Sequence, residues 1–397
     1  MFPSNKCLIY SLIAITLGLM TCNKGGVNEK NNSHKNQEAK AASDIFKSHI
    51  EFLGINPADF ESNTIVLPQN DSPFPTLSDY GFFKGPVQYL IPSDNVLPYT
   101  LNSELFSDYA YKARFVWMPE GSAAQYRKDE VLDFPLGTVL IKNFYYPTDM
   151  RNPHGERRLI ETRLLVNTQS GWKNYPYLWN EDQTDADYHP FGEFAKISWI
   201  DIKGEEQRVN YMQPQQGQCK SCHIIDDNVM PIGPKVRNLN GVFDYGKEGK
   251  HNQLVYWQQM GYLEGFNPNE PQPRNAVWSN PSEDLDGRAR AYLDINCGHC
   301  HNPKGPGNTT GFYLDALTAD PKELGVCKVP VAAGRGSGNL RYDIVPGNPT
   351  ESIVHYRMAS EEIDVMMPEI GRSKVHYEGL ELIASWIASM EEGSCNE

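Results

Sequence analysis

Beyond its first 21 residues, this 397-residue chain has no apolar run near the roughly 20 residues a membrane-crossing helix needs. Its body is therefore expected to be water-soluble. Positive charge is also scarce. Lys and Arg number 36 against 50 Asp and Glu, a formal charge of −14, which argues against a nucleic-acid partner. An acidic surface can steer a basic partner, but it also simply keeps a protein in solution. Cysteine is limited to eight residues, and their placement matters more than their number. The length exceeds what one hydrophobic core usually serves, so three folded units are expected.

The N-terminus reads as an export signal over residues 1–21. Lys6 supplies the positive start and Leu8 to Leu19 the apolar stretch, and Leu19-Met20-Thr21-Cys22 closes it. Leu three positions before Cys resembles a bacterial lipobox, in which Cys22 is lipidated and becomes the mature N-terminus. Cleavage there removes Lys6, the one charged residue of the segment, and takes the charge from −14 to −15. Residues 23–43 are Asn, Lys, Glu, Gly and Ser with almost nothing apolar, too polar to offset the entropy of folding. We read residues 22–74 as a disordered tether and N-terminal extension. The expected location is the cell envelope, periplasmic or surface-facing, with membrane contact only through the lipid anchor.

Four of the eight cysteines fall in two CxxCH motifs, Cys219-Lys220-Ser221-Cys222-His223 and Cys297-Gly298-His299-Cys300-His301. This is the pattern of c-type haem attachment. Cysteines at i and i+3 on one turn reach two vinyl groups, and the following His is placed to ligate iron. A thioredoxin-like pair or a structural disulfide needs no His at this offset, let alone twice. A zinc ribbon would place its second pair about 15–20 residues on, whereas Cys222 and Cys297 are 75 positions apart (297 − 222). Two covalently bound haem c groups are expected. Cys7 lies in the export signal, leaving Cys327 and Cys395, which an oxidising compartment allows to pair but whose spacing leaves the pairing open.

Residues 285–397 are expected to form a helical domain like a class I cytochrome c. Leu285, Ala289, Tyr292 and Leu293 recur at helical spacing into Cys297, and Tyr377, Leu380, Ile383, Trp386 and Ile387 do so near the C-terminus. Met367 lies 66 positions after His301 and is the expected sixth iron ligand. Its neighbour Met366 is a rival, and Met358 reads as core. Residues 214–284 form a shorter first haem segment. Its sixth ligand is open among Met230, Met260, Met212 and His251, with Met230 the candidate carried forward.

Residues 75–213 change to period two. Strands are expected over 113–118, 138–146, 159–166, 171–179 and 195–202, as a sandwich or barrel. Trp117, Trp172, Trp179 and Trp199 read as sheet packing. Glu104, Asp108 and Glu161 form no acid–base pair legible in sequence. The expected fold class is thus multidomain α+β, an N-terminal antiparallel β sandwich or barrel followed by two mainly α-helical cytochrome c-like haem domains.

Several blocks, Leu101–Asp108, Gly137–Phe144, Pro231–Lys235 and Tyr292–Cys297, together with both motifs, give the chain a likeness running from Leu77 to Trp386. It resembles a largely uncharacterised family of bacterial two-haem c-type cytochromes. The resemblance implies an exported haem protein in electron transfer and carries over haem-binding residues only at the two motifs. The leading expectation is a carrier passing single electrons between an exported dehydrogenase and a respiratory acceptor. One alternative is a peroxidase-like or oxidase-like enzyme with an open first haem. Another is a haem-bearing docking subunit of an exported dehydrogenase.

Overall fold

The computed structural model of the chain describes residues 49–391 and 395. The export signal, Cys22 and most of the tether lie outside the described residues.

The dominant element is a six-stranded antiparallel sheet. Its strands are β1 (Val96–Tyr99), β2 (Tyr111–Trp117), β4 (Val139–Pro147), β5 (Arg157–Thr168), β6 (Gly171–Trp179) and β7 (Ala186–Tyr188), paired in that order. Two-residue β3 (Ala124–Gln125) lies apart from it and pairs with a late strand described below. Four of the strands expected from period-two patterning therefore form this sheet. The fifth, β8 (Glu193–Ile200), pairs instead with β9 (Glu206–Gln213) as a separate hairpin.

Both faces of the sheet are covered, which is why the central strands are nearly continuously buried. On one face Phe115, Ile141, Leu164 and Tyr175 lie opposite one another across four strands and pack on Tyr80, Phe82 and Leu90. On the other face Val116, Leu140 and Leu165 pack against Val236, Leu239, Leu254, Trp257 and Ile295. The segment after the first motif is thereby fused to the sheet through a shared core. Of the four tryptophans assigned to packing, Trp179 and Trp199 are buried and Trp117 and Trp172 half-buried.

The expectation of two mainly helical haem domains is corrected. The structure is mostly β, and helix makes up 22% of it. Between the first motif and residue 284 the helices are single turns or little more: α1 (Lys220–His223), α2 (Val236–Leu239) and α3 (Gln253–Gln259). They alternate with two-stranded ribbons, β10 (Ile224–Ile225) with β11 (Asn228–Val229), and β12 (Val242–Asp244) with β13 (Lys250–Asn252). Short β14 (Leu263–Glu264) is the partner of β3. Pro231, Pro234, Pro268, Pro271 and Pro273 withhold backbone donors there, and Gly246, Gly249, Gly261 and Gly265 adopt positive φ. No long helix can run through such a sequence.

In the last third only α4 (Leu285–Asn296) and α6 (Tyr377–Ala388) reach twelve residues, with α5 (Ile353–Ala359) between them. Long loops fill the rest. Leu293, Ile344, Ile383, Trp386 and Ile387 make the core of this end of the molecule. α6 crosses α4 at Gly379, where any Cβ would overlap the Tyr292 ring. Cys327 and Cys395 form a disulfide that ties the chain end to this unit, with Cα atoms 5.0 Å apart.

Candidate functional site

The first motif follows β9 directly. A 3₁₀ turn over Gln216–Cys219, closed by reciprocal bonds between Gln215 and Gln218, runs into α1. Cys219, Cys222 and His223 therefore sit on consecutive tight turns. The chain then reverses through Asp226 and Asp227, both at positive φ, as Asx residues tolerate. The β10–β11 hairpin so formed returns the Met230 carbonyl to His223, whose Nδ1 lies 2.8 Å from it. Met230 N–H donates to the His223 carbonyl at 2.6 Å.

The second motif caps α4, whose N-terminus is held by the Asp284 carboxylate on Gly287 N–H. Gly298 is required by space, since a Cβ there would stand 2.8 Å from the Asp294 carbonyl and from Asp315 Cα. Past the motif the chain turns back, and His301 Nδ1 faces the Phe312 carbonyl at 3.2 Å. The two histidines thus share one arrangement. Each spends Nδ1–H on a backbone carbonyl and keeps the Nε2 lone pair for a metal. Burial pushes both down to about 4, so both are neutral imidazoles at neutral pH.

The motifs, 75 positions apart, meet in space. Cys300 Sγ is 3.6 Å from the Ser221 carbonyl. Ligand atoms of Cys222, His299 and Cys300 all lie within 4.8 Å of one another. A hydrogen bond from the Cys300 thiol, aided by His299, holds Cys222 down at about 4, while Cys300 is pushed up by the same contact. Burial raises Cys219, and it raises Cys297 to about 12. His299 is buried, and its Nδ1 has no hydrogen-bond partner among the described residues.

Beside the first motif lies a cavity of about 170 Å³. Its floor is the sheet, through Arg114, Leu140, Lys142, Arg163 and Leu165. Its sides are Cys219, Cys222 and His223 with Tyr292, Ile295 and His299, and its roof is Met358, Met367, Arg372 and His376. The roof is held by backbone contacts. Arg372 Nη2 donates to the Met367 carbonyl at 2.8 Å and to the Ser360 carbonyl at 2.9 Å. Asp108 reaches over from the loop between β1 and β2, its carboxylate accepting from Ser373 N–H, Ser373 Oγ and Lys374 N–H at 2.7–2.9 Å.

Of the expected sixth ligands, Met367 and Met212 line this cavity, as does Met358, which reads as core and packs there too. Met230 presents its carbonyl to the Nδ1 side of His223, opposite the nitrogen free for a metal. Met260 is 45% exposed at the end of α3, and His251 faces the Glu248 carbonyl and stacks on Tyr256. Glu104 and Glu161 each pair with an arginine, Arg114 and Arg163. Reading the sequence did not single out His299, His376, Arg372 or the basic side chains on the sheet. Of the last, only Lys142 had a visible signal, as the single charged residue of an otherwise largely apolar strand.

No known protein family, curated protein or solved structure matches this chain. Among the described residues no helix is long and apolar enough to cross a membrane.

Proposed function

We propose that the chain carries two covalently attached haems, at Cys219, Cys222 and His223 and at Cys297, Cys300 and His301, and works as an exported c-type cytochrome. Haem iron supplies a one-electron couple, and the protein supplies ligation, orientation and exclusion of water. The observation that carries this reading is the shared setting of His223 and His301. A carbonyl on Nδ1 fixes the tautomer and ring orientation that a proximal ligand needs. The cysteines at i and i+3 stand on the same turns, and an apolar-edged cavity adjoins the first motif. The contact between motifs favours exchange of electrons between the two sites, as a carrier between an exported dehydrogenase and a respiratory acceptor requires. Met367, with its backbone clamped by Arg372, is the sixth ligand favoured by this reading.

The convergence of Cys222, His299 and Cys300 favours a second reading, a three-ligand metal ion of zinc type. That reading leaves Cys219, Cys297 and both oriented histidines without a role. Intact mass and a pyridine haemochrome spectrum of protein made with a cytochrome c maturation system decide between them. Two haems per chain, each lost on Cys222→Ala or Cys300→Ala, are expected. One bound zinc and no attached haem would overturn the cytochrome.

A further inference from the structure

The sheet face that floors the cavity carries a charge pattern that packing alone does not account for. Arg114 on β2 lies directly opposite Lys142 on β4, and Lys142 directly opposite Arg163 on β5. Three basic side chains thus stand in one cross-strand row, all lining the cavity beside Cys219, Cys222 and His223. Like charges directly opposite one another destabilise a sheet, and buried basic groups need anionic partners. Two are present. Glu104 pairs with Arg114 at 2.7 Å, and fully buried Glu161 pairs with Arg163 while accepting from the Tyr211 hydroxyl at 2.5 Å. Lys142, the middle member, has no ion pair among the described residues. Its amine rests 4.7 Å from the centre of the Phe144 ring, a ring it shares with Arg163. Lys112 adds a further basic group on the same face, opposite Phe144. A lysine near the surface would carry its amine out to water. Lys142 instead is half-buried and lines the cavity.

We infer that this row is a carboxylate-binding wall, with Lys142 as its unmatched member, and that it holds the propionates of the haem attached at Cys219 and Cys222. The assignment rests on the two-haem reading. It also gives the sheet a role at the site, since the strands furnish the counter-charge for a group anchored on the turn that follows them. Desolvation pushes the Lys142 amine well below the usual lysine range, reinforced by Arg114, Arg163 and Lys112 and only partly opposed by Glu104, and a carboxylate lying against it relieves that shift. The same chemistry would serve a small free dicarboxylate, and the test separates the two sources.

The test is spectropotentiometric titration of the holoprotein beside Lys142→Met, Lys142→Gln and Lys142→Arg, with thermal melts in the presence and absence of succinate. Loss of the positive charge should lower the reduction constant of one haem about tenfold, about 59 mV for one electron. The other haem should stay unmoved, and Lys142→Arg should keep the wild-type value. Two attached haems whose midpoints are the same in wild type, Lys142→Met and Lys142→Gln overturn the assignment while leaving the cytochrome reading intact. A melting rise with succinate that Lys142→Met abolishes, at unchanged midpoints, replaces the propionates by a free carboxylate. A wild type without attached haem defeats the cytochrome reading and this assignment together.

Discussion

The turn bearing His223 and the turn bearing His301 carry the same residue types at the same offsets, and each presents a histidine whose Nδ1 is bonded to a carbonyl. Their surroundings have little else in common. The first turn hangs from the end of a strand, is braced by a two-residue hairpin and faces a sheet lined with basic groups. The second caps a twelve-residue helix inside its own apolar cluster, beside a unit closed by a disulfide. Local sequence sets the carbonyl contact that orients each histidine ring. What faces the ring's other edge, and the charge around it, comes from residues far away in the chain.

The sharpest break in this comparison is the link between the halves. Arg237 on α2 binds Asp294 on α4 at 3.0 and 3.1 Å, with both side chains almost wholly buried and Asn275 donating to the same carboxylate. Asp294→Ala leaves Arg237 buried without its partner, and a loss of about 3–5 kcal/mol in denaturant unfolding is expected. Burial by itself would raise Asp294, but Lys235 and Arg237 hold it down at about 2. A carboxylate depressed in the folded state stabilises above its unfolded pKa, about 3.9, and loses that contribution as pH falls through the folded value. Stability should therefore decline by about 2 kcal/mol between pH 4 and pH 2. Asp294→Asn, measured over the same window, should flatten that decline.

Next in size is the disulfide. Cys327→Ala with Cys395→Ala opens a closure spanning 68 residues, and a loss of about 2–5 kcal/mol is expected. Hydrogen exchange should rise around α5 and α6 and stay unchanged in the β10–β11 hairpin. Equal loosening of both motifs would mean that they unfold as one unit. At the smallest end, Met230→Leu keeps the carbonyl that His223 uses. It should leave stability within about 0.5 kcal/mol and both haem spectra as they are. Met367→Leu, in contrast, should remove the long-wavelength methionine band of one haem. If Met230→Leu removes it instead, the sixth ligand is misassigned.

Much of the sheet was legible because its strands alternate or run apolar between turn residues, as in Val139–Pro147 and Gly171–Trp179. The partner of β8 was not among the expected strands. Only alternate residues of Glu206–Gln213, among them Val209 and Tyr211, are buried, and Glu206, Arg208 and Asn210 between them are exposed. The motifs were legible in full, since three fixed residues within five positions define each. The helical domains were misread because the spacing of α4 and α6 is real but confined to twelve residues each. The Pro- and Gly-rich chain between them packs as loops. The cavity could not be read at all. Arg114, Lys142 and Arg163 become neighbours only through strand register, and Met367 joins them through the Asp108 contacts.

Those Asp108 contacts also order events in time. The carboxylate belongs to an early loop, yet its partners Ser373 and Lys374 lie 265 and 266 positions later. A chain threaded from its N-terminus thus brings out the sheet first, then the cysteines of the first motif, and only at the end the segment that closes over them. Contacts of such long separation form slowly. Cys219 and Cys222 therefore have a long interval of open access before the roof shuts.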